Sequence, residues 1–258
     1  MNSAAPIANV AAQLHSKVVG EEGELILFLH GWSCQGSDWD AVLAALGDER
    51  HMMVLDLPGH GKSADVDWAD WTIVGLARLV VAAAQRAGAD RLTLVGHSMG
   101  GTVALEAARL WAQNGGQLGG VVLVDTFGLP YGDMDAETIA SIETPFQQDF
   151  VGAMHYLVDN TTVPELDEAT RDWIKQRMAS ADPEKMLPIW ADLLRWSPDA
   201  AFAELHCPIH AINGEHISEP ARNRCAGNVM EQVIPGSHHF PQFEQPKDFT
   251  RTLRSLLA

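Results

Sequence analysis

A serine between two glycines, in the run Gly96-His97-Ser98-Met99-Gly100, is the residue of this chain best suited to attack an electrophile. The apolar segment Leu92-Thr93-Leu94-Val95 precedes it and Gly101-Thr102-Val103-Ala104-Leu105 follows it, so a strand, a tight turn and a helix meet at the serine. Such a turn exposes the hydroxyl above the sheet in strained backbone geometry, and side chains at the flanking glycine positions would collide with the neighbouring strand and helix. A serine hydroxyl is a weak nucleophile near neutral pH. It needs a base to accept its proton and a third group to orient that base. Eleven histidines, two of them in Gly236-Ser237-His238-His239-Phe240-Pro241, and 34 acidic residues are available for these two tasks. The chemistry such a set supports is acyl transfer through a covalent serine intermediate.

Short apolar runs mark the elements that must position these groups. Strands are expected at 10–19, 25–30, 51–56, 91–96, 120–125, 207–213 and 229–234, most of them separated by helical segments. This alternation predicts an α/β fold with a mostly parallel, doubly wound sheet whose active groups gather at the carboxyl ends of its strands. One helix is well marked: Thr72 caps it, Ile73, Leu76, Ala77, Val80 and Ala84 form its apolar stripe, and Gly88 stops it. Between Asp125 and Cys207 lie about eighty residues of helical periodicity, punctuated by Pro130, Pro145, Pro164, Pro183, Pro188 and Pro198. That is too long for a simple crossover.

The 258 residues fit a single domain carrying an insertion, and they include no repeat or low-complexity tract. A net charge of -17 argues against nucleic acid and anionic membranes as partners. Residues 126–206 hold fifteen acidic and five basic side chains, which is the composition of a solvated helical surface. If that acidity extends to a pocket mouth, neutral or cationic substrates are favoured over anionic ones. Three cysteines, Cys34, Cys207 and Cys225, form no disulfide framework, and neither a secretory signal nor a membrane span is legible, so a cytoplasmic protein is expected. His206, His210 and His216 lie in or beside a strand without a supporting carboxylate or cysteine pattern, and no metal or other cofactor is expected. A homodimer is compatible with these features and not required by them.

Four landmarks together resemble the α/β-hydrolase family in order and spacing over nearly the whole chain. They are His30-Gly31-Trp32 after the run Leu25-Ile26-Leu27-Phe28-Leu29, the glycine-rich stretch from Asp56 to Ser63, the turn at Ser98, and the segment 236–241. The resemblance implies a hydrolase core of residues 1–127 and 204–258 with a helical cap at 128–203, and it makes the turn at Ser98 a nucleophile elbow. It implies His239 as the base, because in the family an aromatic or small residue and a proline follow the catalytic histidine. It implies an oxyanion hole made by the backbone amides of Trp32 and Met99. The acid departs from the commonest pattern, in which an aspartate closes a segment resembling Gly-x-x-Asp; here Gly214-Glu215-His216-Ile217 places isoleucine there. Asp125, ending the strand before the cap, is the expected acid, as in zearalenone-type lactonases and cofactor-free quinolone dioxygenases. Glu215, two residues early on the usual loop, is the alternative.

Gly31, Trp32, Trp190 and Trp196 are expected to line the substrate pocket. Of the cap residues Phe146, Met154, Tyr156, Trp173, Met178, Met186, Trp190 and Trp196, most should hold the helices together and about a third should face an apolar pocket. The expected activity is hydrolysis of a carboxylic ester or lactone of a hydrophobic small molecule through Ser98, His239 and Asp125. Two alternatives share these residues: a cofactor-independent dioxygenase that uses the His–Asp pair on a quinolone-type heteroaromatic, and a hydrolase-like small-molecule receptor. Epoxide hydrolases and haloalkane dehalogenases carry an aspartate where this chain has Ser98.

Overall fold

The computed structural model describes residues 4–257, and side chains from residue 7 onward. The strands are β1 (Ser16–Val19), β2 (Leu25–Leu29), β3 (Met52–Leu55), β4 (Arg91–His97), β5 (Gln117–Val124), β6 (Ile209–Asn213) and β7 (Met230–Val233). They form one sheet in the order β1-β3-β2-β4-β5-β6-β7. β1 runs antiparallel to β3 and all other pairings are parallel. The first helices are α1 (Ala4–Ala11), α2 (Asp40–Leu46), α3 (Ile73–Arg86) and α4 (Met99–Gln113). Between β5 and β6 come α5 (Ala136–Gln148), α6 (Phe150–Thr161), α7 (Glu168–Ala179), α8 (Pro183–Arg195) and α9 (Asp199–Glu204). The chain ends with α10 (Glu219–Cys225), α11 (Pro241–Glu244) and α12 (Pro246–Leu256).

Period-two alternation explains how the sheet is covered on both faces. In β2, Leu25, Leu27 and Leu29 join the apolar cluster that includes α3 and α4, whereas Ile26 and Phe28 join the cluster with Trp39, Val42, Leu43, Phe249 and Leu253. A strand buried on both faces reads as an unbroken apolar run, which is why the central strands are legible in the sequence. α3 begins where Thr72 accepts from the Gly75 amide at 2.9 Å and ends before Gly88, whose φ of 73° only glycine adopts without strain.

Three expected strands shift. The segment 10–19 is not one strand: the alanine-rich stretch through Ala11 is helical, and extended backbone begins only at Ser16. β6 starts at Ile209 rather than 207, because Pro208 has no amide to give to the ladder. β5 starts earlier than expected, at Gln117, and runs through Gly119, where a Cβ would lie 1.7 Å from Glu24 Oε1.

The five helices from α5 to α9 account for much of the acidity of residues 126–206. Asp135, Asp149, Asp167 and Asp182 each cap a helix by accepting a backbone amide of the first turn. The helices between β5 and β6 are fastened to the sheet layer at widely spaced points. The Trp32 indole donates to Met186 O at 3.0 Å, the Ile73 amide to Asp192 Oδ2 at 2.7 Å, and the Trp196 indole to Glu106 Oε1 at 3.0 Å. Arg177 pairs with the buried Asp38 just beyond the loop that follows β2. Among the described residues, no helix is long and apolar enough to cross a membrane.

Candidate active site

Ser98 joins β4 to α4 with φ 51° and ψ −122°, a left-handed-side conformation that costs a non-glycine residue of order 1 to 3 kcal/mol. The flanking glycines are dictated by contact. A Cβ at Gly96 would lie 2.2 Å from Gly100 O, one at Gly100 2.5 Å from His30 O, and one at Gly101 1.8 Å from Thr126 Oγ1. The Ser98 amide donates to Val124 O at 2.9 Å, which ties the turn to the end of β5. Among the described residues three non-glycine positions have positive φ: Ser33, Ser98 and Asp125. All three belong to loops at the carboxyl ends of β2, β4 and β5. Strain gathered in one place is an observation from which a site can be argued.

Asp125 follows β5 and is 4% exposed. Its backbone amide donates to Ile212 O at 3.0 Å, and its Oδ2 accepts from the Gly214 amide at 2.7 Å. The other oxygen, Oδ1, lies 2.7 Å from His239 Nδ1, and His239 Nε2 lies 3.1 Å from Ser98 Oγ. With Nδ1–H given to the carboxylate, the Nε2 lone pair faces the serine hydroxyl, the arrangement a general base requires. Glu215 does not share this contact. Its carboxylate accepts from the Gly236 amide at 2.9 Å and its own amide donates to Ser237 O at 2.9 Å, so it closes the two loops on each other. Ile217, at the position where an aspartate is commonest, is buried against the cavity.

The loop that carries His239 is braced from three directions. Its amide donates to Thr161 O, the last residue of α6, at 3.1 Å, and its carbonyl lies 2.8 Å from His97 Nε2. Burial, with the nearby His239 adding to it, holds the His97 imidazole well below its ordinary range, so His97 is a neutral donor to that carbonyl. Glu244 accepts from the amides of His238 at 2.7 Å and Phe240 at 3.3 Å with one oxygen, and from the Val163 amide at 2.8 Å with the other. Burial raises the Glu244 carboxyl above its usual range, against the pull of those three amides. Two of these amides lie within six residues of Glu244, but the third, Val163, is 81 residues away, and that link of the histidine loop to the end of α6 has no signal in the sequence.

The amide of Met99 is the first of α4 and has no carbonyl one turn earlier within the helix to accept it. Trp32 stands on the facing loop, with a Cβ at Gly31 only 3.3 Å from Ser98 Cβ. The Trp32 ring stacks on Trp190 at 4.5 Å and meets Phe146 edge-on at 5.2 Å. Beside it, burial pushes the Cys34 thiol up to about 12, so it stays protonated.

Ser98, His239 and Asp125 open into a cavity of about 240 Å³ whose wall is mainly apolar. Gly31, Trp32 and Trp190 line it, and so do Phe146 of α5 and Met178 of α7. Trp196 does not: its indole turns to Glu106 and its ring packs on Phe127 and Tyr131 outside the cavity wall. Tyr156 is 71% exposed and Trp173 also faces outward. Sequence reasoning missed Tyr131, Ile142, Leu157 and the stacked pair His216–His238, whose ring centroids are 4.1 Å apart. Burial lowers the His238 imidazole to about 4, with the neighbouring His216 adding to the effect. A larger, more polar cleft of about 470 Å³ lies near the amino ends of the strands, around Arg91, Thr93 and His210, far from the serine turn.

A seven-stranded, mostly parallel sheet with a serine turn after β4 and a histidine loop after β7 defines a hydrolase-type α/β fold. The chain belongs to the alpha/beta hydrolase family, whose profile matches residues 26–252. It is 24% identical to a pimeloyl-[acyl-carrier protein] methyl ester esterase of Nitrosomonas europaea, over 95% of this chain and 100% of that protein. Three further curated relatives align over only 16%, 32% and 24% of their own lengths. Among solved structures, a thermophilic esterase from Thermogutta terrifontis superposes with a TM-score of 0.79 at 25% identity, covering 95% of this chain and 92% of that one. Est816, described as an N-acyl homoserine lactone degrading enzyme, gives 0.77 at 23% identity, covers 94% and 96%, and bears on the fold alone.

Proposed function

We propose that this chain is a serine hydrolase acting on carboxylic esters or lactones of hydrophobic small molecules, with residues 128–203 serving as a cap over the reacting bond. The observation that carries this reading is the continuous chain from Ser98 Oγ to His239 Nε2 at 3.1 Å and from His239 Nδ1 to Asp125 Oδ1 at 2.7 Å. Ser98 Oγ adds to the carbonyl carbon as its proton passes to His239 Nε2, and Asp125 stabilises the imidazolium. The oxyanion is received by the amides of Met99 and Trp32, donors typically worth about 3 to 4 kcal/mol each in the transition state. Collapse expels the alcohol, which takes its proton from His239, and leaves the acyl group on Ser98. Water then adds to the acyl carbon, giving its proton to His239; the acid departs and the proton returns to Ser98.

The apolar wall around Trp32, Phe146 and Trp190 supports a hydrophobic substrate. The names of the esterase relatives support the ester class. The test is labelling by a fluorophosphonate together with turnover of aryl esters and lactones. Both are expected in the wild type and both should vanish in Ser98→Ala. Oxygen uptake with a hydroxyquinolone that survives Ser98→Ala would instead assign the dioxygenase chemistry.

A further inference from the structure

The cavity holds a polar group for which acyl transfer has no use. Tyr131 lies on the loop after β5 and is only 4% exposed, yet it forms part of the cavity wall. Its ring is wedged between Phe127 at 6.0 Å and Trp196 at 6.1 Å, both edge-on, and its carbonyl accepts from Arg224 Nε at 2.9 Å. The side chain is therefore fixed before any ligand arrives. A buried phenol normally satisfies its hydroxyl. Among the described residues the Tyr131 hydroxyl has no hydrogen-bond partner, and its acidity responds only to burial and to the charge of Asp125. Both Asp125 oxygens are already engaged, by His239 and by the Gly214 amide. Burial and that neighbouring charge hold the phenol well above its ordinary range, so it offers a neutral O–H at any working pH. The Trp190 indole N–H also lacks an acceptor, but it is sealed from open space.

Strand order fixes which side of the reacting bond this hydroxyl addresses. β4 lies between β2 and β5, so Ser98 has the Trp32 loop on one flank and the Asp125–Tyr131 loop on the other. A substrate centred on Ser98 with its carbonyl oxygen toward the Trp32 and Met99 amides presents its opposite flank to Tyr131.

We propose that Tyr131 is a specificity-determining residue that donates its hydroxyl to a second oxygen of the substrate, outside the scissile group. The preferred substrates are then apolar esters or lactones bearing an additional keto, ether or hydroxyl oxygen, rather than plain hydrocarbon esters. This rests on the acyl-transfer reading of Ser98.

The test compares matched esters that differ by one oxo group: 4-nitrophenyl pentanoate with 4-nitrophenyl 4-oxopentanoate, and butyl pentanoate with 3-oxobutyl pentanoate. In the wild type the oxo ester of at least one pair should be preferred. Tyr131→Phe should lower kcat/KM for that ester about 10-fold and leave its plain partner within about 2-fold. Equal losses on both members of each pair, or no loss on either, overturns the proposal. Titration calorimetry with the uncleaved esters keeps the two readings separate. The oxo-to-plain ratio of Kd should rise by the same factor from Ser98→Ala to Ser98→Ala with Tyr131→Phe. If the wild type cleaves none of these esters, acyl transfer fails, while the Kd ratio alone still decides Tyr131.

Discussion

Asp125→Asn removes one charge and one acceptor with almost no change of shape, and its surroundings dictate how the new amide must sit. The Gly214 amide points at one carboxylate oxygen and His239 Nδ1 at the other, both at 2.7 Å. An asparagine has one end that accepts and one that donates. With its oxygen toward Gly214, its NH2 faces Nδ1; the imidazole proton then moves to Nε2 and blocks transfer from Ser98. With its oxygen toward His239, the buried Gly214 N–H is left unpaired, at about 1 to 3 kcal/mol. The base-competent tautomer thus becomes about 5- to 150-fold rarer. The imidazolium also loses a partner charge worth about 4 kcal/mol at about 4 Å and an effective dielectric of about 20. Together these are expected to lower kcat by about 10⁴-fold. The assay is saturating turnover of 4-nitrophenyl butanoate at pH 8, with thermal unfolding as the control for fold. Glu215→Gln, measured in parallel, should stay within about 3-fold of wild type, because its carboxylate serves only Gly236. A loss below tenfold in Asp125→Asn, or a comparable loss in Glu215→Gln, would refute the reasoning.

Two further outcomes concern stability and pH. Burial lowers His30 to about 4 and His60 to about 3, so the unfolded chain binds these protons first. The stability they protect is present above about pH 6.5 and drains away on acidification, by about 3 kcal/mol per histidine at pH 4.5. Urea midpoints at pH 7 and 4.5 measure this, and His60→Phe, which keeps the ring packed on His30 at 4.8 Å, should flatten the slope. Burial raises Asp38 to about 6 against the opposing charge of Arg177. A raised carboxyl favours the protonated fold, so stability falls as pH rises from about 4 through the folded value. Arg177→Met strips the countercharge and widens that window upward. It should cost about 3 kcal/mol at pH 8 and distinctly less at pH 5, where Asp38 accepts a proton. Equal losses in Tm at both pH values would rule this out.

The parts of the site legible in the sequence are those whose causes are local. The turn at Ser98 is written in Gly96, Gly100 and Gly101, because each glycine answers a clash within a few residues or with the adjacent strand. Asp125 is reachable from sequence because strand ends bring neighbouring loops together. Trp196 misleads because its aromatic character says nothing of Glu106, ninety residues earlier, which captures its indole. Tyr131 goes unnoticed for the same reason: Trp196 and Arg224, which fix it, come from distant segments. The start of β5 is hidden because Gly119 interrupts the apolar run ahead of the expected strand at 120–125, and only the structure shows Glu24 and Thr93 crowding it.

The bond from the His239 amide to the Thr161 carbonyl, with Glu244 reaching from the same loop to the Val163 amide, makes the end of α6 a structural neighbour of the imidazole. The helical segment is therefore not an interchangeable module. A graft from a relative must reproduce an acceptor at the end of its second helix and an amide two residues on, or the imidazole loses its seat while every residue of the core remains unchanged. Changes that reshape the cavity of this chain without unseating the imidazole are thereby confined to side chains facing the cavity, with the end of α6 left as it stands.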